Sequence, residues 1–369
     1  MRKLIILEHE PLSRRLYDMW CIDKLSKYLE LEYWDISQVL YPGIIIPSII
    51  ESEYVKKYVE RDKLVSAIKN TDSDGVIIAL EVMFLYKNRF VFELLKKLNF
   101  LCIRIDFYAN TAIQVKRRRS LLSYFSIKKV FTYIENFLMS KRYKALYKYS
   151  FSSSVAANPD FYINHPDYER FMNEDKISLV SNEYILFIDT YYPYHPDIKY
   201  YNNSSIHYVA DAYYKSMNKL FKFLEEKYNM PVVIAAHPKA IYEQNPFHGR
   251  SIFYNSTSNL VKYAQYIITH ESNSLSYIAL ADVPFMIVYP DSYRLVDGLK
   301  DYILKLGELL NHEVFNIDED YSDLVFTRLD EIIRHDYIEN YISHSSIMGT
   351  NNYQIILEAL KKIEKTVSK

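Results

Sequence analysis

At 369 residues, with 49% hydrophobic and 25% charged residues, the chain has the length of two domains and the composition of an ordinary soluble globular protein. Its only cysteines, Cys21 and Cys102, exclude a disulfide framework and a zinc-ligand spacing, which fits a reducing cytoplasm. Net charge is −1, the apolar run LIIL before Glu8 is too short for a signal peptide, and no stretch approaches the roughly 18 apolar residues of a membrane span.

The first half alternates short apolar runs with amphipathic ones: KLIILEHE, DKLSKYLE, LEYWDIS, DKLVSAIKN, GVIIALE, NRFVFELLKKL and LCIRID. Strand-length runs alternating with helix-length segments predict a parallel sheet with helices on its faces. FSSSVAAN is the expected last strand of this unit, which spans residues 1–157. Tyr is abundant at 37, and that excess reads as compositional bias.

Within the first unit lies a basic island. Between 116 and 148, Lys116, Arg117, Arg118, Arg119, Lys128, Lys129, Lys141, Arg142, Lys144 and Lys148 face Glu135 alone. Cations interleaved with Leu, Phe and Tyr suit an anionic membrane surface, or a solvated helix face. Nucleic acid is not expected, because no recognised binding motif accompanies the charge.

Residues 158–182 are polar, hold two prolines and lack a period, so they read as a linker. The alternation then restarts over 183–350. YILFID is a strand, a long helix covers roughly 205–228, and PVVIAAH, SIFYN, YIITH, PFMIVYP and VFNID are further strands. A helix through DLVFTRLDEIIRH comes next. Residues 351–369 form an amphipathic helix expected to cross back onto the first unit.

The expected class is therefore α/β, with two Rossmann-like doubly wound domains facing a cleft. Ligands of such sheets bind at the carboxyl ends of strands, near helix amino termini. In the second unit those positions hold Asp189, His237-Pro238-Lys239, Asn255-Ser256-Thr257 and His270-Glu271-Ser272-Asn273-Ser274. A helix beginning near Ser272 offers free N–H groups and a positive dipole end, which cap with a hydroxyl or hold a phosphate.

The order strand-His237-Pro238-Lys239, then a strand with Ser256 and Thr257, then YIITHESNSLSYIALADVPFMIVYP resembles the nucleotide-binding half of GT-B glycosyltransferases. It is most similar to the bacterial capsule and lipopolysaccharide group, including sialyl-, polysialyl- and Kdo-transferases, and its layout also resembles UDP-N-acetylglucosamine 2-epimerases. The resemblance covers roughly 184–290. It implies that His237 contacts the donor phosphate and that Ser272, Ser274 and Ser276 bind phosphate or nucleotide, with Glu271 placed to grip a ribose hydroxyl. Glycines common in these loops are missing here.

The same resemblance implies an inverting transferase that moves a sugar from a nucleotide-sugar donor, CMP-activated in the nearest-looking families, to a bacterial surface glycan. The glycan or glycolipid acceptor belongs to lipopolysaccharide, O-antigen or capsule. From the cysteine usage and the basic island, the expected location of the protein is the cytoplasm, with contact at the inner membrane face through 116–148. The acceptor hydroxyl needs a base, and the strand ends of the first unit supply Asp106 first, with Glu8 or His9 behind it and Glu81 and Glu10 nearby. No metal or cofactor is expected. Asp72-Ser73-Asp74 matches a metal-holding DXD pattern but precedes its strand and reads as a turn. The alternatives are a nucleotide-sugar epimerase or hydrolase, needing no acceptor, and a non-catalytic glycan-assembly protein.

Overall fold

A computed structural model of the chain describes residues 3–43, 49–107, 127–175, 177–192, 194, 206–272, 274–296 and 298–367. The chain divides into two compact units, one of residues 3–107, 127–164 and 344–367, the other of residues 165–343.

Unit 1 is built on seven strands: β1 Lys3–Glu8, β2 Leu31–Asp35, β3 Val55–Lys57, β4 Val76–Glu81, β5 Leu101–Asp106, β6 Tyr147–Ser152 and β7 Phe161–Tyr162. All neighbours are parallel, in the order β3-β2-β1-β4-β5-β6-β7. Alternation along β1 explains its near-continuous apolar run, because both faces are covered. Leu4 and Ile6 enter one core layer with Trp20, Ile22 and Leu25, whereas Ile5 and Leu7 enter the other with Leu64, Ile68 and Phe92. The last helix, Asn352–Val367, adds Ile356, Ala359, Leu360 and Ile363 to the first of these layers. The spacing i, i+3, i+4, i+7 is what its amphipathic sequence dictates. Buried Asn352 ties that helix to Asn164 by a reciprocal pair, its Oδ1 accepting the Asn164 N–H at 2.9 Å and its Nδ2 donating to the Asn164 carbonyl at 2.9 Å.

Unit 2 carries β8 Ile185–Ile188, β9 Val232–Ala236, β10 Ile252–Tyr254, β11 Tyr266–Thr269, β12 Phe285–Tyr289 and β13 Val314–Asn316. They are parallel in the order β10-β9-β8-β11-β12-β13. Helices Ile206–Tyr228, Leu275–Ala281 and Leu299–Leu310 cover its faces, burying Tyr213, Met217, Leu220, Ile278 and Ile303. Both units thus have the doubly wound parallel architecture expected from the alternation of apolar runs.

Three segments differ from the sequence expectation. FSSSVAAN does not continue as strand: β6 stops at Ser152, whose Oγ accepts the Ser154 N–H at 3.1 Å and turns the chain into a single 3-10 turn, Val155–Ala157. Residues 158–182 are not a bare linker, because Phe161–Tyr162 joins the edge of sheet 1 and Pro166–Asn173 is a helix of unit 2. Pro166 is not a breaker there. It sits in the first helical turn, where its missing N–H costs nothing, and the His165 ring accepts the Asp167 N–H at 3.2 Å. Finally, Thr327 pairs with Phe285 in an isolated antiparallel bridge, so the helix begins only at Glu331, capped by Asp330. Among the described residues, no helix is long and apolar enough to cross a membrane.

Candidate functional site

In sheet 1 the strand order reverses direction between β1 and β4, the position where doubly wound sheets receive ligands. Their register sets Glu8 opposite Glu81 at the carboxyl ends of the two strands. Two side-by-side carboxyl groups in a dry site cannot both ionise cheaply. Burial raises Glu81 to about 8, with repulsion from Glu8 adding to it, while Ile105 N–H donates to its Oε1 at 3.0 Å. Burial also raises Glu8 above the ordinary carboxyl range.

His9 moderates this charge. Its backbone N–H donates to Glu8 Oε1 at 2.9 Å, and its Nδ1 lies 2.8 Å from the same oxygen and 2.6 Å from the Glu81 carbonyl. Both Nδ1 neighbours only accept, so Nδ1 carries a proton. Burial opposes a charged ring, but the Glu8 carboxylate and the Glu81 carbonyl outweigh it and raise His9 to about 9. At neutral pH His9 is an imidazolium, suited to donating a proton rather than taking one. Of the two strand-end alternatives to Asp106, Glu8 is therefore the one with a base's chemistry. Asp106 ends β5, beside β4, with its side chain partly exposed and Arg104 at 3.9 Å. The structure thus brings Glu8, His9 and Asp106 to one sheet edge, with Glu81 between them.

In unit 2 the corresponding reversal lies between β8 and β11. Asp189, directly after β8, is buried and accepts from the Tyr191 N–H at 2.9 Å and from the Tyr242 hydroxyl at 2.5 Å. Burial pushes it up to about 6 against these bonds and one from the His237 backbone. Asp189 thereby braces the loop after β9. His237 is half-buried, its Nδ1 accepting the Lys239 N–H at 3.1 Å and its carbonyl the Ala240 N–H at 2.8 Å. The turn leaves Pro238 exposed. After β10, Ser256 donates its hydroxyl to the Tyr254 carbonyl at 2.9 Å and does not cap helix Thr257–Tyr263, leaving the first N–H groups of that helix without a side-chain acceptor.

After β11 stand two unlike titratable groups. His270 is fully buried, its Nδ1 2.6 Å from the Val288 carbonyl and its Nε2 2.9 Å from the Tyr213 hydroxyl. A carbonyl only accepts, so Nδ1 holds the proton and Nε2 accepts. Burial lowers His270 to about 4, and it is a neutral strut under the loop. Glu271 Oε2 has no solvent access and makes no hydrogen bond of ordinary geometry; the Tyr293 hydroxyl beside it, itself next to Thr190, favours its charged form but does not offset burial. Burial raises Glu271 to about 8, so it is protonated at neutral pH. A neutral carboxyl does not repel an anion, so Glu271 would not oppose a phosphate placed at this loop.

The serines separate. Ser272 accepts the Ser274 N–H on its Oγ at 3.1 Å and the Leu275 N–H on its carbonyl at 3.2 Å, an ordinary serine turn into helix Leu275–Ala281. Ser274 stands at the cap position without a side-chain capping bond. Ser276 differs from expectation: it is buried and donates its hydroxyl to Asp167 of helix Pro166–Asn173, so it holds two helices together rather than facing the loop. Asn273 lies outside the described residues, as do Arg117, Arg118 and Arg119.

Sequence reasoning did not select Tyr213, Tyr242 and Tyr293, because tyrosine was everywhere. Their signal is burial of a phenol next to a carboxyl group, which appears only in three dimensions. Asp72-Ser73-Asp74 is a turn, the Asp74 N–H donating to Asp72 Oδ1 at 3.0 Å before Gly75 at φ +88°. Among the described residues no group of three His, Cys, Asp or Glu side chains is placed to hold a metal ion.

No protein-family model matches the chain, and no curated protein matches it in sequence. Solved structures do. A variant of the wall teichoic acid polymerase TagF superposes with a TM-score of 0.55 at 12% identity, covering 100% of this chain and 90% of that one. TagF itself gives 0.51 at 12%, covering 100% and 89%. The UDP-GlcNAc 2-epimerase from Methanocaldococcus jannaschii gives 0.50 at 9%, covering 98% and 100%. At such identities the shared property is the fold, and the chain has the two-unit, Rossmann-like fold of the GT-B type.

Proposed function

We propose that the chain is an inverting glycosyltransferase that uses a nucleotide-sugar donor, with Glu8 as the base. The observation that carries this reading is the Glu8–His9 pair at the β1/β4 strand ends, a buried carboxylate 2.8 Å from an imidazolium. In the displacement, the acceptor oxygen attacks the anomeric carbon, its proton passes to Glu8, and the bond to the nucleotide phosphate breaks. His9 keeps Glu8 ionised despite burial, and a base raised toward neutrality is matched to abstraction at neutral pH.

Nucleotide binding is assigned to unit 2. Phosphate charge that grows as the nucleotide leaves is stabilised by fixed donors: His237 and Lys239, the open N–H groups at Ser256-Thr257, and the hydroxyls of Ser272 and Ser274. These donors need no metal, so the reaction proceeds in EDTA. We assign the acceptor to bacterial surface glycans, lipopolysaccharide, O-antigen or capsule, and the donor to nucleotide sugars that include CMP-activated ones. TagF is described as a wall teichoic acid polymerase, which supports a polymer of the cell surface as the acceptor class.

A second reading has its own support. Asp189 and Glu271, raised to about 6 and about 8, are acid–base groups within unit 2. An epimerase or hydrolase acting on a UDP-sugar needs such groups and no acceptor, and the M. jannaschii neighbour is described as an epimerase of UDP-GlcNAc. The two readings part in one experiment. The purified chain is incubated with CMP-, UDP- and dTDP-sugars, with and without a glycan acceptor, and nucleotide release is followed. Acceptor-dependent release that falls by about 10²-fold or more in Glu8→Gln, with nucleotide binding unchanged, is the expected result. Release indifferent to acceptor establishes the second reading, and no release from any donor leaves a non-catalytic protein.

A further inference from the structure

Helix Ile127–Tyr143 has 17 residues, about 25 Å of length at 1.5 Å per residue. Its packed face is well defined. Met139 and Tyr143 are buried in the core of unit 1, Tyr143 donates its hydroxyl to Glu93 at 3.1 Å, and Asn136 accepts the Tyr86 N–H at 3.0 Å. On a helix of 100° per residue these three lie within one sector. The opposite sector is apolar and open to solvent: Phe131 is 61% exposed, Ile134 46%, Phe137 48% and Leu138 57%. Four large apolar side chains along one helix face are more than the single exposures normal on a soluble surface.

Charge says what covers this face. Its carboxyl-terminal end carries exposed Lys141 and Arg142, followed by exposed Lys144 and Lys148, and none of the four makes an ion pair among the described residues. Lys141 Nζ lies 4.7 Å over the Phe137 ring, keeping its stem along the apolar surface and its charge at the rim. A second copy of this face would offer, at positions 131, 134, 137, 138, 141 and 142, the same cations and no carboxylate to pair with them. An anionic lipid surface takes the rings into its headgroup boundary and the cations against its phosphates.

We propose that helix Ile127–Tyr143 lies in the surface of an anionic membrane, inserting Phe131, Ile134, Phe137 and Leu138 at headgroup depth, with Lys141 and Arg142 on lipid phosphates. The proposal goes beyond the catalytic reading and does not depend on it, since binding is read with neither donor nor acceptor present. It goes beyond the basic composition of the segment too, because it requires apolar insertion and not charge alone.

The probe is the full chain with vesicles of phosphatidylcholine alone or with about a third phosphatidylglycerol. Trp20 and Trp34 are both buried, so Phe137→Trp places one exposed reporter in the face. Its emission is expected to shift to the blue with anionic vesicles and not with neutral ones. In sedimentation with anionic vesicles, Phe131→Ser with Leu138→Ser lowers affinity by about tenfold or more. Lys141→Gln with Arg142→Gln lowers it about twenty-fivefold, an effect that added salt suppresses. All these side chains are exposed, so unchanged thermal unfolding serves as the control for folding. Failure of the wild-type chain to bind anionic vesicles, or undiminished binding by the Phe131/Leu138 variant, overturns the proposal. A dimer in light scattering that Phe131→Ser dissociates overturns it as well, making the face a contact between copies.

Discussion

Replacing Glu271 by Gln is expected to stabilise the protein in a pH-dependent way. Glu271 Oε2 is inaccessible, and burial, outweighing the neighbouring Tyr293 hydroxyl, carries the carboxyl from the ordinary 4.5 to about 8. The folded-state pKa lies above the unfolded one, so between these values the native state holds a proton that the unfolded chain has released. Stability tied to this group is fully present below about 4.5 and is lost as pH rises to about 8. Each tenfold change in proton affinity is worth about 1.36 kcal/mol, so the full effect is about 5 kcal/mol above pH 8 and about 3 kcal/mol at pH 7. The rest of the residue is partly exposed, and water access there brings the expected value at pH 7 to about 2 kcal/mol. Gln has the same shape and no charge to lose. Urea unfolding of wild type and Glu271→Gln should therefore coincide near pH 4.5 and diverge toward pH 8, the variant being the more stable. Equal separation at both pH values, or a variant weaker at both, would show that the carboxyl is paired and ionised after all.

The remaining predictions concern the other strand ends. Because His9 is raised to about 9, kcat/KM should hold from neutral pH and fall above about 9 as the imidazolium is lost; a pH profile of His9→Gln lacks that limb. His237→Ala and Ser274→Ala should each weaken nucleotide binding about tenfold by calorimetry without altering unfolding. Ser276→Ala behaves oppositely: it removes a hydrogen bond to Asp167 between two helices, with water and the His165 ring still open to that carboxylate, costing about 1 kcal/mol in urea while leaving nucleotide affinity alone.

Much of the fold was legible in the sequence because a parallel sheet covered on both faces writes itself as apolar runs. KLIIL, VIIAL, YILFI and VVIAA appear as strands with the polar residue after each one at the carboxyl edge of its sheet. Glu8, His9, His237 and Glu271 could be found that way. Protonation could not. His9 looked like a base until its ring was seen between a carboxylate and a carbonyl. Likewise, Ser276 belonged to a run of serines until it met Asp167, 109 residues away. Pro166 misled for a related reason: a proline marks a helix start as readily as a break, and only the His165 cap decides which. Packing partners distant in sequence supply what local spacing lacks.

The closing helix of unit 1 also orders events during synthesis. Ile356, Ala359, Leu360 and Ile363 complete one face of sheet 1, yet they emerge after the whole of unit 2 has left the ribosome. Nascent chains generally fold domain by domain from the amino terminus. Here the later-made unit has all its strands in hand first, while the earlier one waits with Leu4, Ile6 and Ile77 uncovered. The waiting unit is the stage at which a chaperone would find this protein, and a premature stop between residues 344 and 355, which spares all of unit 2, should leave unit 1 as the aggregating half.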